Sequence, residues 1–498
     1  MRPQRASSRV LRRYGLLLLF AAGMLALVLA LLHWHSRSRA IPQIRAVAVL
    51  PLENPGADAT RYLADGITDT LISDLGRISS VRVTSRASAM SLRQTNRTIP
   101  EIAHELGVDA VVDGSVIRNA NQIQITAQLS DGKTGRHLWK RECAGQISNS
   151  LQLASDMAHD LAAQFNMGAS PQARINSAGP RQIDSGAQDA YLQGEYFMNR
   201  STPGSYQEAI GYFQSAIEKD PSFAPAYAGL GAVYWKLGEY GLLKYSTAYS
   251  NAQWAARKAI ELDTNISEAH TVLAQTLADL DWDWKAAEVE FRRAIQLNPS
   301  SSAARFAYAH YLEKTGRIQE AITEAETGSR LDPISLDAYD RVAHVYYFSR
   351  QYDRGLESIR KAAELYRTSA NPLHWDLAVI YVEKGNLQKA IDQFQIIGDL
   401  PHVLGHMGNA YARAGQIENA KRMIAKLLEH VAKDGLGTYE IALIYAGLGC
   451  KDEAFAWLGK SYQTRDKGLT FLKIDPCVDP LRSDPRFKNL LRRVGLTG

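Results

Sequence analysis

Residues 209–221 have the sequence AIGYFQSAIEKDP, which follows the spacing Ala-x3-Phe-x2-Ala-x4-Pro. Residues 287–299, AEVEFRRAIQLNP, repeat this spacing, and residues 321–333, AITEAETGSRLDP, keep its opening alanine and its closing proline. The small residues that open successive blocks are Ala209, Ala252, Ala287, Ala321, Gly355, Ala390, Ala420 and Ala454. Five of the seven intervals between them measure 34 or 35 residues, and a period near 34 predicts stacked helix pairs. Such an array forms an extended binding surface.

A second small residue precedes each opening residue, and an aromatic residue or leucine follows it three positions later, as in Ala378 with Tyr381. The small residue lets two helices approach closely, and the ring fills the space beside it. Gly385 then falls between the two halves of its unit, where a helix C-terminus favours a left-handed residue. The pattern resembles the tetratricopeptide repeat, and about eight copies would form an α-solenoid over residues 186–463.

The composition is that of a folded chain. With 498 residues and 46% hydrophobic residues, the protein can fill about two or three domains. Its net charge of +5 comes from residues 1–45, which hold eight arginines and no acidic residue. The rest of the chain has more acidic than basic residues, so a nucleic-acid partner is not expected. Cys143, Cys450 and Cys477 are too few for a disulfide framework and lack the spacing of a metal site.

The N-terminal region contains an uninterrupted apolar stretch, residues 15–32, with Tyr14 and Trp34 at its ends. This stretch is just long enough to cross a bilayer, and amphipathic rings favour its interfaces. We therefore predict a transmembrane helix at residues 14–34 after a short cytoplasmic tail, residues 1–13. The alternative is a cleaved signal peptide. Either way, the residues beyond about 40 would be exported, and the uncleaved form would be a single-pass inner-membrane protein with a periplasmic body.

The residues between this stretch and the repeats show a different sequence pattern, one of alternating strands and helices. Residues 45–51 suit a buried strand, and the leucines and isoleucines of residues 62–78 recur at helical spacing. The alternating residues 122–130 predict a strand of a three-stranded meander that starts near residue 108. The order is strand, helix, strand, helix, three strands, helix. Residues 44–168 are therefore predicted to form a small α/β domain, so the fold class is α/β plus all-α.

Five stretches of this domain carry a resemblance to a known family. They are residues 47–51, VAVLP, residues 63–68, LADGIT, residues 105–115, ELGVDAVVDGS, residues 125–129, ITAQL, and residues 135–139, GRHLW. Together they look like the TolB-like amino-terminal domain of bacterial membrane proteins. In that group the domain commonly precedes tetratricopeptide repeats, as in the sensory halves of CadC-like and adenylate-cyclase-type regulators. Their cytoplasmic output module is not expected here, because the predicted tail is too short to fold.

Catalytic signatures fail on inspection, so no enzyme activity and no cofactor are predicted. Two short stretches resemble the end of a phosphate-binding loop but lack its leading glycine: residues 132–134, GKT, and residues 459–461, GKS. His402 and His406 lie one helical turn apart and could hold a metal ion. No third ligand is evident from the sequence, and no metal site is predicted.

The predicted binding groove is the concave face, which the first helix of each repeat lines. Its candidate residues are Trp235, Phe306, His310, His344, Tyr347 and Trp375. Aromatic residues at these positions suit a peptide or helix laid along the groove. The alternative is that several of them pack between neighbouring repeats. Residues 464–498 are expected to cap the last repeat.

These patterns lead to a hypothesis of a membrane-anchored scaffold that binds peptide or protein partners in its groove and contacts the membrane through residues 14–34. A sensory or regulatory protein that signals to a cytoplasmic partner is the alternative. An enzyme would need a pocket of convergent polar groups, which the sequence does not indicate.

Overall fold

The computed structural model of this protein describes Met24 and residues 44–55, 60–77, 81–93, 96–165, 183–366 and 371–497. The chain divides into two units, Met1–Ile44 and Arg45–Gly498. The strands and helices given below belong to the second unit. Met24 is helical and exposed.

The predicted fold class is wrong in one part, the N-terminal transmembrane helix. Within the described ranges, no helix combines the length and the apolar character that a membrane span requires. The solenoid helices have 10 to 18 residues, and the longest, such as Ile417–Asp434, carry charged side chains. The described chain is instead a mostly helical solenoid with one small sheet. The predicted span itself, residues 14–34, lies outside the described residues except for Met24.

The predicted location is corrected for the same reason. A single-pass inner-membrane protein with a periplasmic body needs a spanning helix, and the described part of the chain contains none.

The sheet has five strands in the order β2-β1-β3-β4-β5. The strands are β1 Ala46–Val49, β2 Arg82–Val83, β3 Ala110–Asn119, β4 Gln122–Asp131 and β5 His137–Gln146. The first three run parallel, and β3, β4 and β5 are antiparallel. The helices of this region are α1 Arg61–Gly76, α2 Arg86–Ser91, α3 Ile99–Leu106 and α4 Ser150–Phe165.

The burial pattern of the side chains explains strands β1 and β4, and a side-chain hydrogen bond explains the turn between β4 and β5. Strand β1 is buried on both faces, as expected for an apolar run in a parallel sheet, whereas β4 buries Ile123, Ile125 and Ala127 in alternation. At the β4–β5 turn the Asp131 carboxylate accepts hydrogen bonds from the backbone N–H of Lys133 at 3.1 Å and of Thr134 at 2.8 Å. Such an Asx turn favours a tight reversal of the chain.

Sixteen described helices then form eight consecutive pairs. They are α5 Ser185–Met198, α6 Pro203–Lys219, α7 Ala224–Glu239, α8 Tyr245–Leu262, α9 Ser267–Thr276, α10 Trp284–Leu297, α11 Ser302–Lys314, α12 Ile318–Leu331, α13 Leu336–Phe348, α14 Tyr352–Tyr366, α15 Asn371–Glu383, α16 Leu387–Ile397, α17 Pro401–Arg413, α18 Ile417–Asp434, α19 Thr438–Gly447 and α20 Lys451–Thr464. A π-helical turn, Leu277–Asp281, follows α9. The first helices of successive pairs, such as α11 and α13, contact one another.

The Ala-x3-Phe-x2-Ala pattern accounts for the packing of each pair. Ala287 and Ala294 are fully buried and leave room for the neighbouring helix, and Phe291 fills the space with 1% of its surface exposed. The Phe291 ring lies 5.3 Å from Tyr311 and 5.6 Å from Tyr308, measured between centroids. Burying a phenylalanine of this kind stabilises the fold by about 3 kcal/mol.

The α/β region packs against the solenoid through hydrogen bonds to its inter-repeat turns. The Ser88 hydroxyl donates to the Asp332 carboxylate at 2.6 Å and accepts from the backbone N–H of Ile334 at 3.1 Å. The backbone N–H of Ser85 donates to the carbonyl oxygen of Leu331 at 2.7 Å. These contacts tie α2 to the turn between α12 and α13.

The C-terminal segment, residues 465–497, follows the last pair. It contains two 3-10 turns, Lys467–Phe471 and Pro476–Leu481, and helix α21, Pro485–Val494. Three of its side chains, Phe487, Leu490 and Val494, are buried in a cluster with residues of the last pair. The segment also reaches the third pair, because the Trp284 indole N–H donates to the Val494 carbonyl oxygen at 2.8 Å.

Candidate functional site in the concave surface

The C-terminal segment lies along the first helices of the middle repeats, where the sequence predicts a groove. Its Phe471 ring lies 5.2 Å from the His310 ring and 6.5 Å from the His344 ring, and it stacks on Phe348 at 5.4 Å. The Lys473 ammonium donates to the Thr315 carbonyl oxygen at 2.7 Å. The protein therefore places its own side chains against part of the predicted groove.

The six predicted groove residues fall into different environments. His310 and His344 lie together, with their ring centroids 5.2 Å apart. Phe306 and Tyr347 are buried, with 7% and 1% of their surfaces exposed, so a ligand would reach them only if neighbouring side chains moved. Trp235 is half-buried, and its indole N–H has no hydrogen-bond partner among the described residues.

Trp375, the sixth residue, forms a separate aromatic cluster. The rings of His402 and His406 meet it edge-on at centroid distances of 4.9 and 4.7 Å. Its other neighbour is Phe394, at 5.9 Å, in the buried core of the same pair. His402 is exposed and Trp375 partly so, and these rings therefore offer accessible surface.

A buried carboxylate joins the two histidines of the first group. Glu313 is fully buried, and one of its oxygens, Oε2, lies 3.1 Å from Nδ1 of His310 and 3.5 Å from Nδ1 of His344. Its other oxygen, Oε1, has no hydrogen-bond partner among the described residues. Burial lowers the pKa of His310 well below its usual range, and the nearby Lys314 ammonium adds to the effect.

Further buried charges surround this group. Burial raises the pKa of Asp376 well above its usual range, and the neighbouring Asp340 carboxylate adds to the shift. Neither carboxylate oxygen of Asp376 has a hydrogen-bond partner in the described part of the chain. Lys314 is also buried, and its ammonium donates to the Asp279 carboxylate at 2.5 Å.

A second candidate site is a cavity of about 800 Å³ between the α/β region and the solenoid. Asp69, Arg86, Tyr191 and Glu195 line it. Burial raises the pKa of Asp69 to about 6, although the Arg86 guanidinium at 2.6 Å opposes the shift. Burial and the Asp69 charge raise the pKa of Glu195 to about 8. The cavity can therefore hold protons on its carboxyl groups near neutral pH.

Sequence reasoning missed Glu313, Asp376 and Phe471. Glu313 follows His310 by three residues, a spacing that puts both on one helix face and could have drawn attention to the pair. No local pattern signals Phe471, since its contacts are with residues more than a hundred positions earlier.

Comparison with known proteins defines the class of this chain. Residues 203–238 match the description "TPR repeat", and residues 283–333 and 343–398 match "Tetratricopeptide repeat". The chain therefore contains tetratricopeptide repeats in these ranges, as its period predicts.

Two curated relatives match about half of this chain. "Putative adenylate cyclase 3" of Rhizobium meliloti (strain 1021) is 30% identical over 245 residues, which cover 48% of this chain and 41% of the relative. "Transcriptional regulator HilA" of Salmonella typhimurium is 24% identical over 289 residues, which cover 57% of this chain and 51% of the relative. This chain is thus homologous to these two proteins and spans about half or less of their length. The TolB-like resemblance of residues 44–168 stays a prediction.

Among solved structures, the "Human IFIT1 dimer with m7Gppp-AAAA" is similar at 16% identity and a TM-score of 0.41, covering 63% of this chain and 77% of that chain.

Proposed function

We propose that this protein is an interaction scaffold whose concave surface binds a peptide or protein segment around Trp375. The tetratricopeptide array supports a role in protein–protein interaction. The observation that carries the finer proposal is the partly exposed Trp375 ring with the imidazoles of His402 and His406 at its face. The proposal assigns the chain no catalytic step.

The chemistry of this cluster suits a peptide. Tryptophan supplies a large apolar surface at little conformational cost, and anchors of this kind dominate the energy of many interfaces. The imidazoles of His402 and His406 add groups that can donate or accept hydrogen bonds from a peptide backbone. We therefore expect a ligand segment with an apolar side chain flanked by polar residues.

The test is selection of peptides from a displayed library on the immobilised full chain, followed by affinity measurement with Trp375→Ala. Trp254→Ala is the matched control, because Trp254 is a 56% exposed tryptophan on α8 whose ring contacts Tyr227. We expect Trp375→Ala to weaken binding at least tenfold, about 1.4 kcal/mol, and Trp254→Ala to leave it unchanged. Equal losses in both variants, or no selected peptide, would overturn the proposal.

A regulatory role is the second candidate, and two observations favour it: the cavity between the α/β region and the solenoid, and the similarity to a protein named as a transcriptional regulator. A ligand that binds between two packed regions can shift the equilibrium between their relative arrangements. A sensor uses such a shift to convert binding into a signal. The carboxyl groups that line this cavity are those of Asp69, Asp74, Glu195, Asp263 and Glu268, and they outnumber the guanidiniums of Arg77 and Arg86, so we expect a small organic cation.

This second role is tested by thermal unfolding of the full chain with a panel of amines, diamines and quaternary ammonium compounds. At pH 7.5, a ligand of the cavity should raise the unfolding midpoint of the parent protein and not that of Asp69→Asn, because the pKa of Asp69 is about 6 and the variant removes a charge while keeping the shape of the side chain. Shifts of the same size in both proteins would exclude the cavity as the site.

A further inference from the structure

We infer that His310, Glu313 and His344 form a binding site for a divalent transition-metal ion of the zinc type. Each residue offers one ligand atom, and the three atoms lie within 4.8 Å of one another. Two imidazole nitrogens and one carboxylate oxygen are a ligand set that Zn²⁺ favours.

The distances fit this ion. Zinc binds imidazole nitrogen and carboxylate oxygen at about 2.0–2.2 Å, so neighbouring ligand atoms of a tetrahedral site lie about 3.3 Å apart. The Oε2 atom of Glu313 lies 3.1 Å from Nδ1 of His310 and 3.5 Å from Nδ1 of His344. Small rotations of the three side chains would therefore complete the geometry.

The repeat architecture holds these ligands in place. His310 and Glu313 are three residues apart on α11 and share a helix face. His344 lies on α13, one period of 34 residues after His310, so the stacking of successive first helices brings the two imidazoles together. Ligands on packed helices are positioned more accurately than ligands on loops.

The charge balance also favours a cation. Glu313 is fully buried, and its Oε1 atom has no hydrogen-bond partner among the described residues. The Lys314 ammonium on the same helix already pairs with the Asp279 carboxylate. A buried negative charge without compensation is costly, and a bound divalent ion would supply the compensation.

Access and an open coordination position are available as well. The side chains of His310 and His344 are 22% and 19% exposed, so an ion can reach them from the groove. Three protein ligands leave one position of a tetrahedral ion for water or for a group of a bound partner. The competing description is a hydrogen-bonded triad, in which the Glu313 carboxylate accepts from both rings and no metal binds.

The test uses the purified full chain, freed of metal by a chelator, and titrations with Zn²⁺ followed by calorimetry and with Co²⁺ followed by visible absorption. We expect one ion per chain, a dissociation constant in the micromolar range or below, and a Co²⁺ spectrum of tetrahedral type. Glu313→Gln, which keeps the side-chain shape, and His344→Ala should each weaken binding at least tenfold. Circular dichroism would show that both variants are folded.

Two controls make the result specific. His159→Ala removes an exposed histidine on α4, away from both proposed sites, and should leave metal binding unchanged. Cys477→Ser tests a competing cluster, because His406, Asp475 and Cys477 also bring potential ligand atoms within 4.8 Å of one another. The inference is overturned if no ion binds, if Glu313→Gln binds like the parent protein, or if Cys477→Ser abolishes binding.

Discussion

The helix-pair array α5–α20 and the C-terminal segment, residues 465–497, are held in place in different ways. Each pair packs chiefly on the pairs next to it in sequence, so the array is built from local contacts. The segment instead contacts residues far earlier in the chain: Lys467 pairs with Glu239, and the Arg465 guanidinium donates to the Leu280 carbonyl oxygen. Packing between neighbouring pairs therefore holds the array together, whereas contacts between residues far apart in sequence hold the C-terminal segment in place.

The largest effect is expected for a core residue of the array. Phe291→Ala should reduce the free energy of unfolding by about 3–5 kcal/mol, because it leaves a cavity at a side chain that is 1% exposed. Val289→Ala on the same helix is the control, since Val289 is 60% exposed, and it should change stability by less than about 0.5 kcal/mol. Denaturant unfolding measures both, and similar losses would show that the repeat core does not depend on Phe291.

A substitution in the C-terminal segment should lower the free energy of unfolding by less, but it should affect more of the molecule. Leu472 is fully buried, and Leu472→Ala should cost about 2–4 kcal/mol. Because the segment bridges distant pairs, hydrogen exchange should accelerate in α7 and α11 as well as near residue 472.

The control for this experiment is Leu428→Ala on α18, a leucine that is 44% exposed. Acceleration confined to the last pair in Leu472→Ala would mean that the segment is only a local cap.

The ion pair between Lys467 and Glu239 should make the stabilising effect of the C-terminal segment depend on pH. Burial would raise the pKa of Glu239, but the Lys467 ammonium lowers it to about 2. Because the pKa in the folded protein lies below the ordinary value near 4.5, the pair's stabilisation is fully present above that value and is lost as pH falls toward 2. We expect a contribution on the order of 1–3 kcal/mol, discounted for partial exposure of both side chains.

Unfolding experiments between pH 2 and pH 6 on the parent protein and on Glu239→Gln measure this contribution. The two stability curves should converge as the pH falls, and parallel curves would refute the assignment.

The smallest effect is expected at the surface contact between Arg350 and Asp479. Their two hydrogen bonds measure 2.7 and 2.8 Å, but the side chains are 46% and 38% exposed. Arg350→Ala should therefore cost less than about 1 kcal/mol, and the loss should disappear in 1 M salt. A loss that salt does not change would point to packing of the arginine stem rather than to charge.

The sequence predicts the elements that depend on residues close to one another in the chain. The spacing of Ala287, Phe291 and Ala294 is enough to give a helix pair, and the alternation in residues 122–130 is enough to give β4. The apolar run at residues 15–32 led to a fold class and a location that the described helices do not support, because hydropathy alone cannot place a segment in a membrane.

The sites could be predicted only in part, because their decisive contacts are not local. The period places His310 and His344 on first helices, and they do meet in the structure. Phe471 follows His344 by more than a hundred residues, and no spacing rule connects them. The burial of Glu313 likewise depends on what several repeats and the segment place around it.

The hydrogen bond from Trp284 to the Val494 carbonyl oxygen joins the third helix pair to the last helix of the chain. An open solenoid can gain or lose a repeat and simply become longer or shorter. Here the hydrogen bond joins the two ends of a loop of helix pairs, so the number of pairs in that loop is constrained. Inserting one 34-residue unit between α14 and α15 would force the loop open, even though every new interface would be of a kind the molecule already contains.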